Sequence, residues 1–165
     1  MAGVTETEGS LLAKIFMSKS SQIHTESDFK DVINQTNSLS HNLDVEKVTE
    51  FYLRNVNKSD SGAIQWAFNE FFGDISMTCP TYHFAKNYAK YSQNSNVFFY
   101  EITYQQYSNY FEKFGFKGVN HGADLPFVFG LPLISPQPTD TQTDIEFSKQ
   151  VMKMWTNFAK YGYNI

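Results

Sequence analysis

The sequence predicts an α/β fold in which helices dominate and the sheet is small. Three features carry that expectation. Several segments repeat apolar residues at helical spacing. One segment, "NVFFYEITY" (residues 96–104), is a continuous aromatic and β-branched run without helical period, and "MAGVT" at the start offers a second strand. The lack of alternation in residues 96–104 predicts burial on both faces, as in the middle of a helix-covered sheet. So small a sheet leaves backbone donors and acceptors unpaired, and the sequence reads as part of a larger α/β domain.

The helices follow in chain order. "EGSLLAKIF" reads as a short helix starting near Ser10, and "TESDFKDVINQ" as one capped by Thr25 or Ser27. "LDVEKVTEFYLRNV" sets Val45, Val48 and Tyr52 on one face, with Asp44 as its cap. "SGAIQWAFNEFFGD" repeats Ile64, Phe68 and Phe71 and is expected to stop at Gly73. A new helix is expected from Pro80, whose missing N–H loses nothing in a first turn, with Phe84, Tyr88 and Tyr91 as its apolar stripe. The strongest helix is "TDIEFSKQVMKMWTNFAKYG". It lines up Ile145, Ser148, Val151, Met152, Trp155, Phe158 and Ala159, and Gly162 is its natural stop.

No repeat, low-complexity tract or linker interrupts the 165 residues, a length that suits one ordinary domain. Hydrophobic residues make up 41%, enough for a packed core and too many for a disordered chain. A net charge of −4 with no basic cluster argues against nucleic acid as a partner. The longest apolar run, "LPFVFGLPLI", is too short and too broken by Pro and Gly to span a membrane. "MAGVTETEGS" has neither the basic start nor the apolar middle of a secretion signal. The single cysteine, Cys79, reads from composition as a buried, reduced thiol. Two glycosylation sequons, at Asn34 and Asn57, decide nothing among thirteen asparagines.

Four histidines are present. His24 and His41 lie in polar, helix-flanking stretches and read as surface residues, and His83 falls inside a helix as a solvent-facing or packed neighbour. No zinc spacing and no glycine-rich phosphate loop emerges, so no metal or cofactor is expected. His121 is different. It sits in "GVNHGADLPFVFG", between Asn and Gly, where a turn presents it rather than an element burying it.

Five blocks in order, "GVTETEGSLL", "CPTYHFA", "NVFFYEITY", "GVNHGADLPFVFG" and "WTNFAKYG", resemble the C-terminal third of the type-B carboxylesterase and cholinesterase family. The resemblance covers nearly the whole chain. It implies an α/β-hydrolase fold, of which this chain supplies a mostly helical portion with one or two strands of the central sheet. It also implies a catalytic order of Ser, then acid, then His. The acid of the first block falls on Glu8, directly before Gly9, and the histidine of the fourth on His121; Glu6 is the nearest competitor for the acid, and the motif register favours Glu8. The Gly-x-Ser-x-Gly elbow that holds the family's nucleophile, and its oxyanion loop, do not occur in this chain. The reading that competes with a triad is that Glu8 merely caps a helix and His121 packs in a turn.

The resemblance further implies a small carboxylic ester as substrate and a secreted parent protein. It also implies a disulfide from Cys79 to a cysteine outside the chain, which reverses the composition-based reading. Departures bear on substrate. Asp124 stands where Glu is more usual, Ala123 where cholinesterases proper carry an aromatic ring, and Phe111, Phe114 and Phe116 where they carry tryptophans. A cation site needs such rings, so a general carboxylesterase is expected rather than a choline-selective one. The alternative is one of the family's non-catalytic adhesion proteins, which keep the fold and lose a triad member; retention of both Glu8 and His121 favours the enzyme. Of the tyrosines between strand and histidine, Tyr104, Tyr107 and Tyr110 are the expected pocket lining, while residues 98–100 read as core.

Overall fold

A computed structural model describes residues 1–17, 19–40, 42–92, 95–106, 116 and 118–163, with the backbone alone for 38–40. Two compact units divide the chain: Thr7–Cys79, and Met1–Glu6 together with Pro80–Ile165.

The first unit is helical: α1 (Glu8–Phe16), a 3-10 turn (Ser20–Gln22), α2 (Glu26–Ser40), α3 (Val45–Leu53) and α4 (Ser61–Gly73). Local chemistry sets its helix starts. Thr25 caps α2, its hydroxyl accepting from Asp28 N–H at 3.2 Å while the Asp28 carboxylate accepts from Thr25 N–H at 2.9 Å. Asp44 accepts from Lys47 N–H at the head of α3, and Asp60 from Gly62 and Ala63 N–H at the head of α4. The expected stripe of Ile64, Phe68 and Phe71 is fully buried. Phe29 meets Phe68 edge-on at 6.1 Å, and Ile23, Ile33 and Leu53 close the core around them. Val45, Val48 and Tyr52 pack against it from α3.

α1 covers the block "EGSLLAKIF" and begins at Glu8, two residues before the expected start. α4 ends at Gly73 as expected, but the glycine does not terminate the helical path. Gly73 has ordinary right-handed helical angles, and a π-helical segment (Asp74–Thr78) carries the backbone on to α5 (Cys79–Tyr91). The glycine is there for a close crossing. A Cβ on Gly73 would lie 2.7 Å from the Gly9 nitrogen, and one on Gly9 would lie 1.8 Å from the Asn69 carbonyl oxygen. These two glycines let α1 and α4 touch backbone to backbone.

Within the same unit, the Tyr52 hydroxyl donates to Asp74 Oδ2 at 2.7 Å. Burial, reinforced by that carboxylate, pushes the phenol above its ordinary range. The sign follows from linkage. Below about 10 the phenol is neutral folded or unfolded; above it the unfolded chain ionises and the folded one resists, so stability falls as pH rises. Tyr52→Phe should cost about 1–3 kcal/mol at neutral pH by leaving Asp74 a partner short. It should also flatten the alkaline loss. Urea midpoints for both proteins at pH 7 and above about pH 10 check this; an undiminished alkaline loss in the variant contradicts it.

The second unit holds the sheet. β1 (Ala2–Thr5) pairs in parallel with β2 (Phe99–Ile102), Gly3 opposite Tyr100 and Thr5 opposite Ile102. The second strand expected in "MAGVT" is therefore present. Burial of β2 on both faces is not. Ile102 is buried, Glu101 is exposed and Phe99 is 40% exposed. In a two-stranded sheet, only one face of β2 has helix to rest on. Against that face lie α6 (Leu125–Val128) and α8 (Gln142–Tyr161), while α7 (Leu131–Ile134) packs on α6 and α8. The single-turn helices α6 and α7, which the apolar run "LPFVFGLPLI" did not announce, each carry a proline in the first turn.

α8 is built as expected at its ends: Thr141 and Asp144 form a reciprocal capping box, and Gly162 closes it in the left-handed region. Its buried face runs through Asp144, Ser148 and Val151, joined by the partly buried Phe147, Met154 and Trp155, while Ala159 is exposed. The stripe on α5 also needs correction. Phe84, Tyr88 and Tyr91 do align, but they are exposed, and it is Ala85 that is buried. A small residue seats this helix, and its aromatic column stands clear.

Candidate functional site

His121 is presented by backbone, not by an element. Gly118 has φ +77 and Gly122 φ +81, so the turn bends on both sides of the histidine through angles that favour glycine. Ala123 N–H closes the turn on the Asn120 carbonyl at 2.9 Å, and Leu125 N–H bonds the Gly122 carbonyl at 3.1 Å. Beneath the turn, Val119 and Asn120 are buried; the Asn120 side chain donates to the Gly118 carbonyl at 3.0 Å. Val119 enters the core with Ile102, Phe127 and Val151. The result is a half-buried imidazole on a braced loop. Next to it, Asp124 receives a weak 3.4 Å hydrogen bond from the Tyr100 hydroxyl.

The loop is held from below by a buried polar pair. Ser148 of α8 donates to the Phe127 carbonyl at 2.9 Å. Tyr104 donates to Asp144 Oδ1 at 3.0 Å, and its ring lies 4.5 Å from Phe147. Burial, with help from Asp144, raises the Tyr104 phenol above its ordinary value. Tyr104 is thus a partly buried residue packed against this core, with its hydroxyl satisfied. Tyr107 and Tyr110, like His41, Phe111 and Phe114, lie outside the described residues.

Glu8 is the first residue of α1, three residues beyond the end of β1 at Thr5, and is 5% exposed. A carboxylate this buried demands compensation, and the amino end of a helix favours negative charge. The expected competitor, Glu6, is exposed. The Gly9–Gly73 crossing sets the place of Glu8: its Cβ lies 3.5 Å from where a Gly73 Cβ would stand. Glu8 belongs to the helical unit and His121 to the sheet-bearing one.

The remaining candidates separate cleanly. His24 and His83 are exposed. Cys79 is exposed too, which overturns the buried thiol that composition suggested; local desolvation and the nearby Asp74 charge hold its thiol above the ordinary value. A thiol shifted that way is a poorer nucleophile and no substitute for a serine. An open groove of about 550 Å³ in the sheet-bearing unit is lined by Ala2, Phe84, Tyr88, Val97, Phe158 and Tyr161, among others. It lies by the amino ends of both strands, whereas open α/β sheets bind ligands beyond the carboxyl ends. Among the described residues no helix is long and apolar enough to cross a membrane.

Sequence reasoning overlooked Asn120 and Gly9. Asn120 was visible as a polar residue locked between Gly-Val and His-Gly; Gly9 only gains meaning once Gly73 is known to face it.

Comparison with known proteins agrees with this arrangement of blocks. Residues 1–164 match the model of the carboxylesterase family, and the chain belongs to that family. It is 29% identical over 167 residues to the cholinesterase of Mus musculus, covering 99% of this chain and 27% of that protein. It is 30% identical over 166 residues to acetylcholinesterase-1 of Trittame loki, covering 96% of this chain and 29% of that one. With the acetylcholinesterase of Bungarus fasciatus it shares 26% identity over 98% of its length and 27% of the relative's. The chain therefore spans less than a third of the length of these relatives.

Proposed function

We propose that this chain is the acid- and histidine-bearing part of a serine carboxylesterase of an exported protein, acting on carboxylic esters. The observation that supports it most is the presentation of His121: two left-handed glycines and a buried Asn120 hold a half-buried imidazole at the surface of a packed core. Packing alone does not call for such a turn.

In this reading the Glu8 carboxylate accepts the N–H of one imidazole nitrogen and fixes the tautomer. The other nitrogen takes the proton from a serine hydroxyl as its oxygen bonds to the ester carbonyl, and returns it to the departing alcohol. Water, activated the same way, then releases the acid. The serine and the oxyanion donors come from the part of the family domain outside residues 1–165. Cys79, exposed, pairs with a cysteine outside the chain in an oxidising compartment. Ala123 brings no ring to a cation site, which favours general esters over choline esters.

Loss of a triad serine lowers turnover on the order of 10⁶-fold. Purified 1–165 should therefore hydrolyse p-nitrophenyl acetate no faster than its His121→Ala variant. A clear excess in the unsubstituted chain would place a nucleophile inside it and contradict the reading. The coding sequence upstream decides against the adhesion alternative if it holds Gly-x-Ser-x-Gly, and for it if Ala or Gly replaces the serine.

A further inference from the structure

The two glycosylation sequons, "NQT" at Asn34 and "NKS" at Asn57, are identical in motif and opposite in setting. We propose that Asn57 is an N-glycan acceptor and that Asn34 is not; this rests on the reading that the protein is exported.

The acceptor chemistry needs the carboxamide and the hydroxyl two residues on to be presented together. In a helix they cannot be, because residues i and i+2 do not face each other. Asn34 lies inside α2. Its partner Thr36 is 1% exposed, and the Thr36 hydroxyl donates to the Val32 carbonyl at 2.7 Å. That hydroxyl is engaged and out of reach.

Asn57 lies between α3 and α4, in a turn closed by Asp60 N–H on the Asn57 carbonyl at 2.9 Å. Its side-chain Oδ1 accepts from Ser59 N–H at 3.1 Å, which folds the carboxamide back over the sequon. Asn57, Lys58 and Ser59 are all exposed. Lys58 is tied to Glu26 Oε2 at 2.6 Å, so the middle residue of the sequon is held away while the outer two remain open. The hydrogen bond onto Oδ1 also draws electron density from the amide and makes its N–H easier to deprotonate.

The transfer takes its sugar from a polyprenyl-diphosphate-linked oligosaccharide. Asn57 Nδ2 bonds to the anomeric carbon, the bond from that carbon to the diphosphate oxygen breaks, Nδ2 loses one proton, and the lipid diphosphate leaves. The turn is written in short-range sequence, "NKSDSG", rich in residues that form turns on their own. It is therefore available to a chain that is still folding.

The test expresses residues 1–165 in a eukaryotic cell behind a fused secretion signal, with a reporter sequon appended after Ile165. Delivery to the lumen is supplied and checked by the reporter, so the result bears on Asn57 alone; export of the native protein is read separately, from the culture medium of cells making it with its own leader. Peptide mapping after glycosidase treatment scores each asparagine. Expected are an occupied Asn57 at several times the occupancy of Asn34, loss of that glycan in both Asn57→Gln and Ser59→Ala, and no change in Asn34→Gln. An empty Asn57 beside an occupied reporter overturns the proposal. So does an Asn34 occupied as fully as Asn57.

Discussion

On the proposed triad, replacing His121 with alanine in the full-length protein is expected to lower kcat for ester hydrolysis by about 10⁶-fold and Glu8→Gln by about 10⁴-fold, with KM little changed in either. The two residues act as a unit in this account, so the double variant should be scarcely worse than His121→Ala alone. The order of the effects carries the argument. In the proposed mechanism the histidine moves the proton, and its loss removes both base and acid. The carboxylate only orients the imidazole and stabilises its charged form, so a neutral isostere leaves a weakened mechanism standing. Steady-state kinetics on a chromogenic acetate ester measure all three. A Glu8→Gln enzyme with undiminished kcat would return Glu8 to the role of a buried helix-starting residue and remove half the proposed site.

The second large effect is structural. Gly9→Ala should destabilise the protein by about 3 kcal/mol or more, because the new methyl group would meet backbone atoms that cannot turn aside. Its Cβ falls 1.8 Å from the Asn69 carbonyl oxygen and 2.4 Å from the Gly73 nitrogen. For a domain whose whole stability is about 5–15 kcal/mol, that is a large share. Gly62→Ala is the matched control: its added Cβ would meet only the movable Asp60 side chain at 3.2 Å, and its effect should stay within about 1 kcal/mol. Urea unfolding followed by far-UV circular dichroism compares them. Equal midpoints for the two variants would contradict the close crossing. On the proposed triad, Gly9→Ala in the full-length protein should also depress ester turnover, since the crossing seats Glu8.

The contrast between these glycines shows what the sequence could and could not reveal. Gly162 was legible as a helix stop because the left-handed cap it forms is local, as is the capping by Asp44. Gly73 was misread because the reason for it stands more than sixty residues away in sequence, at Gly9. Burial shows the same division. The stripe on α5 could be counted from residue types, yet nothing in them told that Phe84, Tyr88 and Tyr91 would face outward while Ala85 faced in. The aromatic run of β2 announced a strand, but how many faces it buries depends on what else is packed there.

The site was legible to a different depth. His121 could be singled out because histidine between Asn and Gly has no obvious packing role. Glu8 could be singled out only through the resemblance of its block, since an acid before Gly-Ser is otherwise an ordinary helix start. Asn120, whose buried carboxamide braces the turn from within, gave no periodic or charged signal at all.

The central claim is that the Glu8 carboxylate holds the His121 imidazole. Nitrogen-15 chemical shifts of the His121 ring, recorded at neutral pH in the protein with Glu8 and with Glu8→Gln, test it most directly. The account expects one well-defined tautomer with Nδ1 protonated when Glu8 is present, giving way to a mixed or reversed population in the variant. Ring shifts that are the same in both proteins would contradict it.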